Sequence, residues 1–295
     1  MNILFRADSS STIGTGHIMR DLVLAKQYPN DSVIFTVREL DGNINYKILE
    51  AGYRLEILES NDFNEIDNFV KKLNIDMMVI DHYGIDYVFE KKLKMSNPDL
   101  KIFVVDDTYK KHHCDILLNH NIYADEARYK DLVPKHCELR CGAKFTLLRD
   151  EFIIERKKTN VVKENIFIGM GGADSDNISQ EILVVLTHLT NKRINVVTTG
   201  ANPNIDSLKA FIAKYSNVEL HIDSHQIANL MNHSLLAIIS PSVILNELFY
   251  LDIPFIAIQT ADNQKYMVEF LKKNGYDILE NWEVSKFRAL IIGKI

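Results

Sequence analysis

A few short segments carry the side chains able to do chemistry. Ile13-Gly14-Thr15-Gly16-His17 follows an apolar N-terminal run and opens an amphipathic stretch. Glycines there let the backbone turn tightly and let a ligand come close. His17 stands where such a turn becomes a helix. A helix N-terminus disfavours an imidazolium, so the ring is expected to be neutral and able to accept a proton. That makes His17 a candidate general base, with Gly16 as a point of close approach. A capping or surface histidine would look the same in sequence. The dinucleotide fingerprint needs a further glycine or alanine where Met19 stands, so the turn does not indicate NAD.

A second glycine turn, Gly169-Met170-Gly171-Gly172-Ala173-Asp174, also precedes a helical pattern. N–H groups of Gly171 and Gly172 at a helix start could hold a diphosphate; a plain tight turn is the alternative. Ser240-Pro241-Ser242 reads as another helix start, with Ser240 as N-cap and Pro241 in the first helical position. Ser242 and its neighbours would then make a second anion site. Asn246 and Glu247 follow. A carboxylate can accept from two ribose hydroxyls, although a Glu in this setting can equally face solvent. Asp262-Asn263-Gln264 sits at a further strand-to-helix junction, where the Asn263 amide suits sugar hydroxyls and N-acetyl groups, or where Asp262 simply caps. Ile80-Asp81-His82-Tyr83-Gly84 puts four polar or permissive residues at the tip of a strand, which marks Tyr83 as a candidate or the segment as an ordinary turn.

A metal is not expected. His112-His113-Cys114 and the stretch from His136 to Cys141 invite a zinc reading, but Cys137 and Cys141 are loosely spaced and no second tight pair exists. The three cysteines are expected to be small buried apolar residues. Neither a Gly-x-Ser-x-Gly elbow nor a Walker loop occurs.

The elements that would position these residues alternate. Short apolar runs at 2–6, 33–37, 54–58, 77–80, 102–105 and 116–118 are separated by helical patterns at 18–28, 46–51, 63–73 and 87–95. Residues 150–165 then hold eight charges in sixteen positions and predict a boundary. Beyond it, strands are predicted at 165–168, 194–198, 218–222, 236–239 and 254–258. Helices are predicted at 175–189, 206–215, 225–231, 243–250 and 263–273. Continuous apolar strands between helices imply parallel sheets covered on both faces. The prediction is α/β: two Rossmann-like doubly wound domains, 1–150 and 151–295, facing a cleft. Open sheets of this kind bind ligands at the carboxyl ends of their strands.

Bulk composition narrows the partners. The 295 residues carry 34 Lys and Arg against 40 Asp and Glu, a net charge of −6, with a sequence pI near 5.9. Nucleic acid and anionic membrane are poor partners for such a surface, whereas a small anion in a local site is not excluded. No apolar run is long enough to span a bilayer, and Arg6 and Asp8 break the N-terminal run, which argues against a signal peptide. An odd, scattered set of three cysteines is not a secreted disulfide framework. A cytoplasmic chain is expected. No heptad or repeat predicts assembly, so a monomer is expected.

In order along residues 1–275, the motifs resemble one family. They are Leu4 to Ser10 with Ile13 to His17, then Ile80 to Gly84, His112 to Asn119, Met170 to Asp174, and Val243 to Glu247. The family is the UDP-2,4-diacetamido-2,4,6-trideoxy-β-L-altropyranose hydrolases of pseudaminic acid biosynthesis. The resemblance implies a glycosyltransferase-B-like fold, related in architecture to the peptidoglycan N-acetylglucosaminyltransferase. It implies metal-independent hydrolysis of the glycosidic C–O bond with inversion and release of UDP. No cofactor is implied, and the substrate partner is a UDP-linked diacetamido sugar whose product serves flagellin glycosylation. By the same resemblance His17 is the base that activates water. Tyr83, Asn263 and Gly16 lie on the sugar side. Gly171, Gly172 and Ser242 meet the diphosphate, and Glu247 with Asn246 holds the ribose. Thr15 replaces the bulkier residue common between the two glycines. Residues 276–295, with Trp282, fall outside the resemblance and suit either a strap across the first domain or a surface helix. Two other functions remain open on this architecture: a glycosyltransferase or epimerase using a UDP-amino sugar, and a non-catalytic nucleotide-sugar binder.

Overall fold

The computed structural model describes every residue from Met1 to Ile295. The chain forms two compact units, Met1–Leu147 and Leu148–Ile295.

In the first unit the chain runs β1 (Asn2–Ala7), α1 (Gly16–Ala25), β2 (Ser32–Arg38), α2 (Tyr46–Glu50), β3 (Arg54–Leu58), α3 (Phe63–Lys72), β4 (Met77–Asp81), α4 (Tyr87–Ser96), β5 (Lys101–Val105), β6 (Ile116–Asn119) and β7 (Glu138–Cys141). All seven strands are parallel, in the order β3-β2-β1-β4-β5-β6-β7. The sheet is apolar on both faces. Ile3, Phe5 and Ala7 of β1 join Met77 and Val79 of β4 in one core, while Leu4 joins Met78 and Ile80 in the other. Two-sided burial is why these strands read as continuous apolar runs rather than alternating ones. Helices cover the faces with i, i+4 pairs, as Ile66 and Val70 do on α3. Asp86 caps α4 by accepting from the N–H groups of Val88 and Phe89 at 3.0 Å each.

The second unit repeats the plan. It contains α5 (Asp150–Arg156), β8 (Asn165–Gly169), α6 (Ile178–Leu186), β9 (Ile194–Thr198), α7 (Ile205–Ile212), β10 (Val218–Ile222), α8 (Ile227–Asn232), β11 (Ser234–Ile239), α9 (Ile244–Leu251), β12 (Phe255–Ile258), α10 (Lys265–Lys273), β13 (Ile278–Leu279) and α11 (Val284–Ile291). Its six strands are parallel in the order β10-β9-β8-β11-β12-β13.

Three stretches differ from the sequence expectation. The charged segment after residue 150 is not all linker. Its first seven residues form α5, with acids in the first turn and Arg156 in the last, an arrangement that suits the helix dipole. Phe152 is fully buried there, so the helix is anchored by its one large apolar ring. Strands β7 and β13 went unpredicted because each is a short sheet-edge strand, paired on one side only, and carries no apolar run. The C-terminal residues form a helix of the second unit. Phe287 and Ile291 of α11 enter the core of the second unit, with Trp282 packed against it.

Nowhere do three His, Cys, Asp or Glu side chains group so as to hold a metal ion. Cys114 and Cys141 are buried in the apolar core. Their histidine neighbour has another task. His112 Nδ1 lies 2.7 Å from Glu90 Oε1 on α4, and Glu90 also accepts from the His113 N–H at 2.6 Å. Asp106, just after β5, faces the other ring nitrogen at 3.8 Å. Burial alone would lower the His112 pKa, but the nearby charge of Asp106 and the hydrogen bond and charge of Glu90 outweigh it and raise it to about 9. A raised folded pKa stabilises fully below the ordinary histidine value of about 6.5, and that contribution is lost as pH climbs through 9. Wild-type protein should therefore lose stability between pH 6.5 and 9. His112→Gln should flatten that fall, which thermal melts across the range will show; parallel curves would mean the clamp is neutral.

Candidate active site

The sheet order reverses direction between β1 and β4, and ligand sites of open α/β sheets form outside such a switch point. Register places Ala7 opposite Asp81, so the tips of β1 and β4 end side by side. Beyond β1 the chain folds back on itself. Gly14 and Ser10 exchange backbone hydrogen bonds, Ser10 Oγ accepts from the Ile13 N–H at 2.9 Å, and Gly14 takes φ +83°. That positive φ is why position 14 needs glycine. Gly16 has a different reason for its size: a Cβ there would meet nothing within 4 Å, so its lack of a side chain keeps open the space next to His17.

His17 is buried in the first turn of α1. Its Nδ1 lies 2.7 Å from Asp81 Oδ1. Arg20 Nη2 also lies 3.1 Å from Nδ1; with the Nδ1 hydrogen directed at the carboxylate, Nε2 keeps its lone pair. The sequence reading held the ring neutral through the helix end alone; the structure adds a carboxylate that sets tautomer and orientation. Arg20, one turn on, donates from Nε to Asp81 Oδ2 at 2.6 Å and from Nη2 to Oδ1. Burial pushes the Asp81 carboxyl up, but the charge of Arg20 and the hydrogen bonds from Arg20 and His17 hold it well below the usual carboxylate range. Arg20 also donates from Nη1 to Asp107 Oδ2 at 3.0 Å. Asp107 in turn accepts from the Tyr83 hydroxyl at 2.9 Å. Tyr83 stands edge-on to the His17 ring, with centroids 4.9 Å apart and planes at 81°. Burial, then the Asp107 charge, pushes its phenol up, so it stays a hydrogen-bond donor. Gly16, His17 and Tyr83 thus come together in the first unit.

The loop that carries Tyr83 is itself anchored. Arg6, fully buried on β1, makes a two-pronged contact with Asp8 at 2.6 and 2.8 Å. Arg38 and His82 also donate to Asp8, at 2.7 and 3.1 Å. His82 Nδ1 then accepts from the Gly84 N–H at 2.9 Å. Sequence reasoning passed over Arg6, Asp8, Arg20 and Asp107. One signal was available: β1, β4 and β5 each lead into an aspartate, at Asp8, Asp81 and Asp106. Spacing along a single chain cannot say which cations meet them.

In the second unit the switch point lies between β8 and β11. Gly171 adopts φ +91°, and a Cβ on it would stand 3.7 Å from Ser240 Oγ. The Gly172 carbonyl accepts from the hydroxyls of Thr198 and Thr199 at 3.1 and 3.0 Å, which ties the loop to the end of β9. Gly171 and Gly172 direct no N–H to a backbone carbonyl. The helix that follows is not the anion site foreseen. Asp174 fills that place itself, accepting from the N–H groups of Ile178 and Ser179 at 2.9 and 3.0 Å. A diphosphate would therefore meet the loop N–H groups rather than the α6 terminus.

Ser240 is not an N-cap. Its N–H continues the ladder to the Gly169 carbonyl at 3.1 Å, and α9 begins only at Ile244, with Val243 at the cap. Ser242 is exposed in the turn between them. Asn246 and Glu247 are buried, so Glu247 does not face solvent. Its Oε1 takes a two-pronged contact from Arg149 Nε and Nη2 at 3.0 and 2.9 Å. Burial raises the Glu247 pKa to about 7 despite Arg149. Asn263 is exposed in the short turn of 3-10 helix Asp262–Gln264. Asp262 does not cap that turn; Gln264 Oε1 accepts from the Thr260 and Ala261 N–H groups at 2.9 and 3.3 Å.

With this geometry in hand, the likeness to known proteins can be stated. The chain is 43% identical over 278 residues to the UDP-2,4-diacetamido-2,4,6-trideoxy-β-L-altropyranose hydrolase of Campylobacter jejuni, covering 94% of this chain and 98% of that one. It is 27% identical to an uncharacterized protein of Methanocaldococcus jannaschii, over 92% of this chain but 59% of the relative. Among solved structures, MurG of Acinetobacter baumannii superposes with a TM-score of 0.65 at 11% identity, covering 99% of this chain and 90% of that one. Anabaena HepE in complex with UDP gives 0.62 at 12%, covering 99% and 89%. UDP-GlcNAc 2-epimerase of Neisseria meningitidis gives 0.62 at 11%, covering 99% and 91%. These distant likenesses establish the glycosyltransferase-B fold. No family model matches the chain. No helix is long and apolar enough to cross a membrane.

The Arg6–Asp8 pair yields a direct test. Removing one partner of a buried pair leaves an uncompensated charge, a cost of roughly 3–5 kcal/mol. Asp8→Ala should lower the unfolding free energy of the first unit, read from urea melts, by that amount and speed hydrogen exchange at Gly84. A wild-type midpoint would show that Arg6 finds another counter-ion.

Proposed function

Because the chain belongs to the family of UDP-2,4-diacetamido-2,4,6-trideoxy-β-L-altropyranose hydrolases, we propose that it cleaves that UDP-sugar to UDP and the free diacetamido sugar. The observation that carries this reading is the 43% identity over nearly the full length of both chains, since fold likeness alone does not separate hydrolysis from transfer. The reading places the chain in pseudaminic acid biosynthesis.

The geometry supports a water-activating role for His17. Asp81 holds Nδ1–H, and Nε2 has no polar partner of the protein's own. Nε2 takes a proton from water as the water oxygen attacks the anomeric carbon. The C1–O bond to UDP breaks and its electron pair leaves with the diphosphate, so the anomeric configuration inverts. A general base of this kind contributes about 10²–10⁴-fold. Tyr83 and Gly16 flank the sugar, and Asn263 contributes an amide to it. The loop N–H groups of Gly171 and Gly172, with Ser242, meet the charge that develops on the diphosphate, and Glu247, helped by Asn246, holds the ribose. Fixed N–H dipoles stabilise such charge without reorganising, which supports a reaction that needs no metal.

UDP release, followed by proton NMR of the sugar in EDTA, tests the reaction. Cleavage of the diacetamido substrate with inversion, and none of UDP-GlcNAc, is expected. Protein that binds UDP but cleaves neither would point to a transferase of this fold. His17→Ala should lower kcat by about 10²–10⁴-fold with little change in KM. Near-normal turnover in the folded variant removes the assignment. Glu247→Ala should weaken UDP binding roughly tenfold or more, as loss of a charged hydrogen bond does. An unchanged affinity by titration calorimetry would rule out the ribose contact.

A further inference from the structure

His17 and Arg20 are not the only residues of α1 that converge on Asp81. Asp21 sits one turn after His17 on the same inward face. It is fully buried, and neither of its carboxyl oxygens has a donor from any side chain or backbone group. It shares the inward face of α1 with His17 and Arg20, both bonded to Asp81, and Asp81 is the neighbouring carboxyl that acts on it. The nearest cation is Arg20, and all three of its nitrogens are directed elsewhere: Nε and Nη2 to Asp81, Nη1 to Asp107. Two carboxyls in contact inside a protein cannot both be ionised, because neither then has a hydrogen to offer the other. One must carry a proton. Asp81 is the ionised member, since it accepts from both His17 and Arg20.

We propose that Asp21 is a carboxylic acid whose hydroxyl donates to Asp81, and that it acts as a positioning residue for His17. The inference rests on His17 serving as the base. The donated hydrogen bond fixes the Asp81 carboxylate so that Oδ1 points at Nδ1. It also takes up part of the Asp81 charge, so Asp81 draws less on the His17 proton. Burial and then the Asp81 charge, against the opposing pull of Arg20, push the Asp21 carboxyl well up, in agreement with this arrangement. The other titratable groups facing the cluster are accounted for. Asp107 accepts from both Arg20 and Tyr83. His120, after β6, is buried with both ring nitrogens unpartnered, and burial and then Arg20 lower its pKa to about 3. His120 is therefore neutral and offers Asp21 no charge.

Three readouts test the proposal. In difference infrared spectra at neutral pH, wild-type protein should show a protonated carboxylic acid band that Asp21→Asn removes. The His17 ring titration, followed by NMR, should stay in place in Asp21→Asn, which is neutral and still a donor. In Asp21→Ala it should move to higher pH, with kcat falling about tenfold and KM little changed, and Asp21→Asn should recover most of that loss. Two results would overturn the idea. One is the absence of the infrared difference. The other is a His17 titration in Asp21→Asn displaced to lower pH by about one unit or more, the mark of a lost negative charge. If Asp21→Ala fails to fold, Asp21→Asn and the infrared band still decide. If wild-type protein releases no UDP, the hydrolase reading fails, while the two spectroscopic measurements still settle the state of Asp21.

Discussion

Asp81 is a carboxylate buried at the end of a central strand, and a charge in that position must be fully paired. The first unit answers this constraint with α1. A helix that starts at Gly16 and runs over the sheet brings positions 17, 20 and 21 to one face, above the tip of β4. His17 and Arg20 supply the donors that keep Asp81 ionised. The His17 ring is thus oriented by the same contacts that make the strand end tolerable. Arg20 extends the set to Asp107 and from there to Tyr83, so the ring and the phenol beside it share one network. Moving α1 by a turn would strand both a carboxylate and a guanidinium.

A second pairing works in parallel one strand over. Arg6 is buried on the face of β1 that otherwise holds Leu4, and Asp8 meets it with both oxygens. Asp8 then spends its remaining capacity on Arg38 and His82. The consequence for function is indirect. His82 holds the Gly84 N–H, so the loop around Tyr83 is tied at a backbone point rather than through the phenol alone. Sites built this way keep their geometry because the supporting shell is rigid.

The second unit uses the same topology with different chemistry. Its switch point presents glycine N–H groups and hydroxyls instead of a histidine. The carboxylate that follows the glycine turn, Asp174, is consumed in capping α6. Glu247, another buried acid of this unit, is held by Arg149, which follows directly on the junction between the two units. A surface of neutral donors with a single paired acid suits an anionic ligand on a chain whose net charge is −6.

Sequence alone determined the architecture. Apolar runs buried on both faces can only be strands of a covered parallel sheet, and their periodic repeats on either side of residue 150 required two such sheets. It also singled out His17, Tyr83 and the Gly171–Gly172 turn as candidates, because glycine turns and strand tips are local features. Some parts were not legible. Edge strands β7 and β13 have too little apolar pattern to announce themselves, and α5 hid its one anchoring ring, Phe152, among charges. The start of α9 was misjudged because Ser240 obeys the ladder with β8, a partner 71 positions away in sequence, rather than its local cap preference. Which charge meets which was decided by tertiary structure alone. Asp81 joins His17 and Arg20 across more than sixty residues, Arg149 reaches Glu247 across 98, and Asp174 turns back on its own helix. The physical reason is that pairing energy depends on distance and burial in space. Neither quantity is written in the spacing of residues along a chain.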